Sequence, residues 1–140
     1  MRSKQEVLAY RFPALVERLE EELKISKKEA EELVADLVKF LYLCATNTTK
    51  FGLSPSKKID EAWHNFIVFT KEYAKFCETN FGFFIHHNPF TKETREQDVK
   101  NSRPASKIAA RVFGKELSDN WNSKGDSYAI CTCDGNCGCP

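Results

Sequence analysis

The sequence has little glycine, no long apolar run and almost none of the alternating patterning that predicts strands. Its longest apolar stretches, such as residues 41–45, are far too short to span a bilayer, so we expect no membrane segment. Only 6 of the 140 residues are glycine, and neither a glycine-rich phosphate loop nor the G-x-S-x-G turn of serine hydrolases is present. These absences argue against the commonest nucleotide-binding and hydrolase motifs and favour a helical protein.

An excess of charge of either sign is also lacking, because 21 Lys and Arg residues face 20 Asp and Glu residues. A protein that binds nucleic acid through its overall charge is strongly basic, so nucleic-acid binding is not expected. Residues 1–10 lack the continuous apolar segment and the small-residue cleavage site of a secretory signal. We therefore expect a cytoplasmic protein whose cysteines stay reduced.

The length suits one domain with one hydrophobic core, and 41% apolar with 29% charged residues is typical of a soluble globular protein. The aromatic residues are unevenly distributed, since more than half of them fall within residues 63–90. We expect that segment to anchor the core, because the aromatic residues recur at helical spacing.

Apolar residues recur at helical spacing in three long stretches. The first predicts a helix over residues 13–24, with a short helix before it and Pro13 in its first turn. The second begins with the capping box Ser26-Lys27-Lys28-Glu29 and continues as an apolar stripe over residues 30–45. It should end near Asn47, where turn-forming residues begin.

The third stretch starts at Ser54-Pro55-Ser56 and predicts one helix that ends between Thr79 and Gly82. Residues 83–90 should form an extended, largely buried connector, because the residue before Pro89 is disfavoured in helical angles.

Two further helices are predicted beyond the connector. A short polar helix is capped by residues 91–94, and a last helix starts after Pro104 and ends near Gly114. We therefore expect an all-α fold, a single compact bundle of about five helices over residues 1–121. Residues 122–140 should form a flexible cysteine-rich tail, because periodicity disappears and Asn, Ser, Gly and Asp dominate.

One set of residues, spread over roughly residues 30–121, resembles the glycine-rich domain-containing protein-like family. The residues that carry the resemblance are Asp60, Trp63 and His64 in a D-x-x-W-H motif, Tyr73, Cys77, Gly82, the H-x-P motif at His87, Val112-Phe113-Gly114 and Trp121. The resemblance implies an all-helical fold more than an activity, and plant members are linked to development and RNA association. This chain has a C-x-C tail in place of the glycine-rich region, so functions of that region are not carried over.

Asp60 and His64 are four residues apart, so on a helix they lie one above the other and can share a metal ion. His87 can join them only if the third helix ends near Thr79 and the chain reverses at once. A helix that continues to Phe81 carries the chain about 25 Å away, and six extended residues return at most about 20 Å. Two interpretations stay open: a metal or catalytic site, or hydrogen bonds that serve the fold alone.

The six cysteines form two groups. Cys44 and Cys77 lie singly in apolar stretches and are predicted to be small core residues. About 20 Å of helical rise separates Cys77 from His64, so the two cannot bind one metal. The other four cysteines fall in the last ten residues as two C-x-C pairs, Cys131, Cys133, Cys137 and Cys139.

Four thiolates are a complete ligand set for Zn²⁺ and a soft site for Cu(I), so the tail is predicted to bind one of these metals. The C-x-C spacing resembles metallothionein-like clusters more than the C-x₂-C pairs of zinc ribbons. A disordered reduced tail, a redox-active or disulfide-linked tail and a covalently modified tail remain alternatives.

The last helix carries a basic stripe of Lys107, Arg111 and Lys115, which is predicted to be a solvated face. Binding rather than turnover is the expected function, in a small helical protein whose tail holds Zn²⁺ or Cu(I). An enzyme would use His64, oriented by Asp60, with His87 as a second ligand or acid–base group. A third class is a precursor or interaction module, with an unidentified protein partner, whose residues 131–139 are covalently modified.

Overall fold

The computed structural model describes residues 1–122 and 129–133. Within these residues the chain is mostly helical, with seven α-helices and four short strands. The helices are α1 (Lys4–Leu8), α2 (Pro13–Leu23), α3 (Lys27–Thr46), α4 (Lys57–Ile67), α5 (Thr70–Phe81), α6 (Arg95–Lys100) and α7 (Ala105–Phe113). The strands are β1 (Gly52–Ser54), β2 (Ile85–Pro89), β3 (Ser102–Pro104) and β4 (Ala129–Cys133), and a 3-10 helix spans Asp119–Asn122.

The two long N-terminal helices begin where the sequence predicts. Helix α2 starts at Pro13, and α3 starts directly after Ser26. The Ser26 hydroxyl accepts a hydrogen bond from the Glu29 amide at 3.1 Å, and the Glu29 carboxylate accepts one from the Ser26 amide. This reciprocal pair confirms the capping box that the sequence predicts.

The third predicted helix is two helices. Helix α4 ends at Ile67 and α5 begins at Thr70, with Phe69 outside helical angles between them. Four β-branched or aromatic residues stand in a row at 67–70, and such residues lose side-chain freedom in a helix. The break also lets Phe69 pack edge-on against Phe12, with ring centroids 5.0 Å apart. The expectation of one continuous helix is therefore wrong, although its end at Phe81 falls within the predicted range.

The expectation of a purely helical fold is also incomplete. Strand β1 pairs in parallel with β3, and β2 pairs antiparallel with β4. Strand β2 lies in the connector predicted to be extended, whereas β4 lies in the predicted flexible tail. Residues 129–133 differ from that prediction because their backbone groups are paired with those of β2, and a sheet partner cannot be inferred from so short a segment.

Helix α3 is the centre of the core and packs against α1, α2, α4 and α7. The aromatic side chains of the 63–90 segment fill much of the remaining interior, and those that are nearly or fully buried are Trp63, Phe66, Tyr73, Phe76 and Phe81. This confirms that the segment anchors the core. Among the described residues, each helix is too short or too polar to cross a lipid bilayer.

Asp36, a buried carboxylate on α3, holds the segment after α7 against the bundle. Its carboxylate accepts hydrogen bonds from the Ser118 hydroxyl at 2.6 Å, the Asn120 amide at 2.9 Å and the Trp121 indole at 3.0 Å. Because Asp36 is only 3% exposed, these three donors compensate the loss of water around it.

Candidate metal centre

Helix α4 carries two of the three predicted ligands. Ser56 caps the helix by accepting a hydrogen bond from the Ile59 amide at 3.2 Å. Ile59, Trp63 and Phe66 form a buried stripe, which fixes how the helix is rotated on the core. Asp60 and His64 therefore lie one turn apart at the border of that stripe, as the sequence predicts.

His87, from strand β2, meets both of them. Its Nε2 lies 2.7 Å from Oδ1 of Asp60, and Nε2 of His64 lies 3.5 Å from Oδ2 of the same carboxylate. The two imidazole rings are 4.4 Å apart between centroids. One ligand atom from each of the three residues lies within 4.8 Å of the other two. The structure thus brings together all three residues of the predicted cluster.

The chain brings His87 beside His64 along a path that differs from the predicted one. The predicted path needed a helix end near Thr79, whereas α5 continues to Phe81. The break after Ile67 removes the difficulty, because the rise of α5 no longer adds to that of α4. Strand β2 can then run back beside α4.

The three side chains differ in exposure. The side chain of His87 is 10% exposed and that of Asp60 is 16% exposed, whereas that of His64 is 55% exposed. The Asp60–His87 pair therefore forms the floor of the cluster, and His64 is its solvent-facing side.

A buried hydrogen-bond chain fixes the position of β2. The Trp63 indole N–H donates to the Tyr73 hydroxyl at 3.0 Å, and that hydroxyl donates to the backbone carbonyl of Ile85 at 2.6 Å. Burial raises the pKa of Tyr73 well above its ordinary value of 10.0, so the hydroxyl stays a donor. The indole ring also packs edge-on against His87, with centroids 4.4 Å apart. Trp63 and Tyr73, which the sequence analysis treats as core and motif residues, are thus positioning residues for His87.

Cys77 belongs to the same support. Burial raises the pKa of its thiol above the ordinary value of 9.0, and the thiol interacts with the Tyr73 hydroxyl and the backbone of Ile85. Cys44 is also completely buried. Both cysteines are core residues, as predicted, and Cys77 is not part of the three-residue cluster.

The cysteine tail begins beside the centre. Cys131 lies in β4 directly opposite His87, and its side chain is completely buried. Directly opposed residues of an antiparallel pair point to the same face of the sheet, with Cβ atoms about 4.5–5.5 Å apart. The backbone of Cys133 is opposite Ile85, whereas Cys137 and Cys139 lie outside the described residues. From the sequence alone the tail and the histidine cluster are predicted as two separate sites, because nothing in the sequence reveals this pairing.

Two imidazoles and a carboxylate are a usual ligand set for Zn²⁺ and for other divalent transition metals. Bonds of about 2.0–2.2 Å place the ligand atoms of a tetrahedral ion about 3.3–3.6 Å apart. One ligand atom from each residue lies within 4.8 Å of the other two, so an ion would require the side chains to move closer together by roughly 1 Å. Such an ion would also replace the hydrogen bond between Asp60 and His87.

Comparison with known proteins gives a family and no activity. No curated protein and no experimentally determined structure is significantly similar to the chain. The resemblance to the glycine-rich domain-containing protein-like family is not confirmed by any match. Residues 2–111 match the UCP032817-like family, a range that includes Asp60, His64 and His87 and ends before β4. The chain therefore belongs to the UCP032817-like family.

Proposed function

We propose that this protein binds a borderline divalent metal ion, Zn²⁺ in the first place, through Asp60, His64 and His87. The observation that carries the proposal is that the three ligand atoms lie within 4.8 Å of one another while His64 faces solvent. Three protein ligands leave a position for water or a ligand, which is the arrangement of zinc sites that are open to chemistry.

A purely structural role explains only part of this cluster. The hydrogen bond between Asp60 and His87 satisfies two largely buried groups, and that alone would justify both residues. His64 is more than half exposed, so its contact with Asp60 adds little to stability. A metal ion gives this third side chain a role that folding does not.

Binding remains the proposed function. The proposed location remains the cytoplasm, in which the tail thiols stay reduced. The proposal also keeps the resemblance to the glycine-rich domain-containing protein-like family. Of the residues that carry that resemblance, Trp63, Tyr73 and Cys77 lie directly behind the cluster formed by Asp60, His64 and His87.

The first test is zinc titration of the full chain after removal of metal, followed by calorimetry. We expect one Zn²⁺ per chain, and an affinity lowered by about 100-fold or more in His64→Ala and in His87→Ala, because each variant removes a ligand from a three-ligand site. His86→Ala is the matched control. His86 neighbours His87 on the opposite face of β2, where its ring packs against Phe84, and its loss should leave zinc affinity unchanged.

Two results would contradict the proposal. One is the absence of saturable zinc binding by the unmodified chain. The other is an equal loss of affinity in His86→Ala and His87→Ala, which would show that zinc affinity does not depend specifically on the imidazole of His87.

A second candidate is Zn²⁺ or Cu(I) binding by the tail thiolates, and the position of Cys131 favours a modified form of it. Because Cys131 is buried in β4, a free-standing cluster with Cys133, Cys137 and Cys139 would require β4 to leave the sheet. A site that combines a Cys131 thiolate with the imidazole of His87 requires a smaller change. We therefore propose Cys131 as the first tail thiol to join a metal at the centre.

Cobalt distinguishes these arrangements, because thiolate ligands give Co²⁺ an intense near-ultraviolet charge-transfer band that imidazole and carboxylate do not. A band that disappears in Cys131→Ser and persists in Cys77→Ser supports the combined site. Cobalt binding without the band leaves Asp60, His64 and His87 as the whole site. A mass increase confined to residues 131–139 in protein from its native host would instead support a covalently modified tail.

A further inference from the structure

A cavity of about 200 Å³ lies on another side of the molecule, where β1, β3 and α7 meet. Its apolar part is formed by Phe51, Leu53 and Ile108, of which Leu53 is completely buried. Its cationic part is formed by Arg103, Lys107 and Arg111, all of which are exposed. The cavity therefore combines an apolar floor with a positively charged rim.

Among the described residues, no carboxylate neutralises the cations of this rim. Within residues 1–122 and 129–133, neither Lys107 nor Arg111 forms an ion pair with a carboxylate, and Arg103 donates only to backbone carbonyls. Lys50 adds a fourth positive charge, because its ammonium lies 5.3 Å from the centre of the Phe51 ring. Like charges repel one another, so an anion that enters the cavity relieves this repulsion.

Arg103 is held in place before any ligand arrives. Its Nη1 donates to the carbonyls of Ser102 at 2.7 Å and Lys100 at 3.1 Å. Its guanidinium lies 3.6 Å from the centroid of the Phe51 ring, and its backbone is opposite Leu53 in the parallel pair of β1 and β3. The Nη2 and Nε donors are not used in these bonds, so a fixed guanidinium edge remains for a ligand.

Helix α7 supplies the other two cations from one face. Lys107 and Arg111 are four residues apart and therefore neighbours on the helix surface. Ala105 and Ala109 are buried on the side that packs against the bundle, which leaves the basic face outward. From the sequence alone this basic stripe is predicted to be a solvated face. Arg103 and the apolar floor lie outside α7, and only the fold brings them beside the basic face of that helix.

We propose that this cavity binds a small organic phosphomonoester whose apolar group rests on Phe51 and Ile108 while its phosphate meets Arg103, Lys107 and Arg111. Arginine forks match phosphate oxygens in pairs, and lysine adds charge. A volume of about 200 Å³ corresponds to roughly seven water molecules at about 30 Å³ each, which suits a phosphate with one ring or a short chain. A free metabolite and a phospholipid headgroup share this chemistry, and the test separates them.

The probe is phenyl phosphate, titrated into the full chain at fixed ionic strength and followed by calorimetry and amide NMR shifts. We expect saturable binding with shifts at residues 51–53 and 103–111, and clearly weaker binding of inorganic phosphate, which lacks the apolar group. Replacing both Lys107 and Arg111 by Gln should raise the Kd by about 10–100-fold, since hydrogen bonds to charged groups are lost. Lys115→Gln is the control, because Lys115 is an exposed cation that lies beyond the end of α7 and does not line the cavity. It should change the Kd less than 2-fold, as expected for a distant screened charge.

Vesicles of phosphatidylcholine with and without phosphatidate identify the source of the anion. Binding that requires phosphatidate and is lost in the Lys107/Arg111 double variant supports a lipid headgroup as the ligand. The proposal is overturned if no probe binds saturably, if inorganic phosphate binds as tightly as phenyl phosphate, or if Lys115→Gln weakens binding as much as the double variant. The Lys107/Arg111 double variant should keep the zinc affinity of the unmodified chain, so failure of this proposal is distinguishable from failure of the metal centre.

Discussion

Trp63 and His87 pack edge to face with ring centroids 4.4 Å apart, and this contact connects the hydrophobic core to the candidate metal centre. The indole N–H of Trp63 is bonded to Tyr73, and the Tyr73 hydroxyl is bonded to the backbone of Ile85 on the same strand as His87. The position of the least exposed candidate ligand is therefore set by residues that offer no ligand atom to the metal.

Replacing Tyr73 by Phe tests this relationship. The variant removes the hydroxyl that bridges Trp63 and Ile85 and leaves a buried donor and a buried acceptor without their partner. We expect the free energy of unfolding to fall by about 1–3 kcal/mol. Zinc affinity should fall by about 10–100-fold, the usual effect of losing a group that orients a ligand. Urea unfolding and calorimetric titration measure the two quantities.

Tyr42→Phe is the control for that variant. Tyr42 is half-buried with its ring near Phe113, and within the described residues its hydroxyl has no hydrogen bond. Its replacement should leave zinc affinity unchanged. If Tyr73→Phe lost stability and kept full zinc affinity, Tyr73 would serve the fold without positioning His87.

The two histidines should separate stability from binding. In metal-free protein, His87→Ala removes a 2.7 Å hydrogen bond to Asp60 and the packing against Trp63. The free energy of unfolding should therefore fall by about 2–4 kcal/mol. His64→Ala removes a side chain that is 55% exposed and should cost less than about 0.5 kcal/mol. Both variants should bind zinc about 100-fold or more weakly, because each lacks one of the three ligands. Equal destabilisation by the two changes would indicate that His64 is also a structural residue.

The sequence predicts most helices because helix starts and apolar stripes depend on neighbouring residues. The cap at Ser26 and the start of α7 after Pro104 follow from such local rules. The break at Phe69 does not, because the apolar spacing continues through it and the competing contact with Phe12 lies in another segment. That break also decides whether His87 can reach His64.

Pairings between distant segments were beyond sequence reasoning. Strands of three to five residues carry too little periodicity to be recognised, so the contact between β2 and β4 and the position of Cys131 came only from the structure. Asp60 and His64 were recognisable as a pair because four residues on a helix suffice to bring them together. The role of Asp36 cannot be recognised from the sequence, since its three hydrogen-bond donors are more than 80 residues away along the chain.

Asp36→Asn should show how much that buried carboxylate contributes. An amide offers one acceptor oxygen where the carboxylate offers two, so at least one of the donors Ser118, Asn120 and Trp121 loses its partner. We expect a loss of about 2–4 kcal/mol in the free energy of unfolding. A red shift of Trp121 fluorescence should accompany it as the segment loosens, and Trp63→Phe as a background leaves Trp121 as the only tryptophan.

Asp119→Asn is the matched comparison, because Asp119 is an exposed carboxylate in the 3-10 helix that also contains Asn120 and Trp121. It should change stability by less than about 0.5 kcal/mol. If the two substitutions had the same small effect, the hydrogen bonds of Asp36 would be dispensable for holding this segment on the bundle.

Stability should fall at alkaline pH. Burial raises the pKa of Cys77 above 9.0, and burial together with the hydrogen bond to Glu72 raises the pKa of Tyr10 above 10.0. A raised pKa means that the folded state favours the protonated group, so the contribution is complete below the unfolded pKa and is lost as pH rises through the folded one. The urea midpoint should be nearly constant from pH 7 to about pH 9 and decrease above it.

Tyr10→Phe isolates one part of that decrease. The Tyr10 hydroxyl donates to the Glu72 carboxylate at 2.7 Å, so the variant should be about 1 kcal/mol less stable at neutral pH. Above pH 10 the difference between the two proteins should shrink, because an unfolded tyrosine ionises there while the folded one resists, and phenylalanine does neither. A difference that stayed constant between pH 8 and pH 11 would show that the folded protein does not hold Tyr10 in its protonated form.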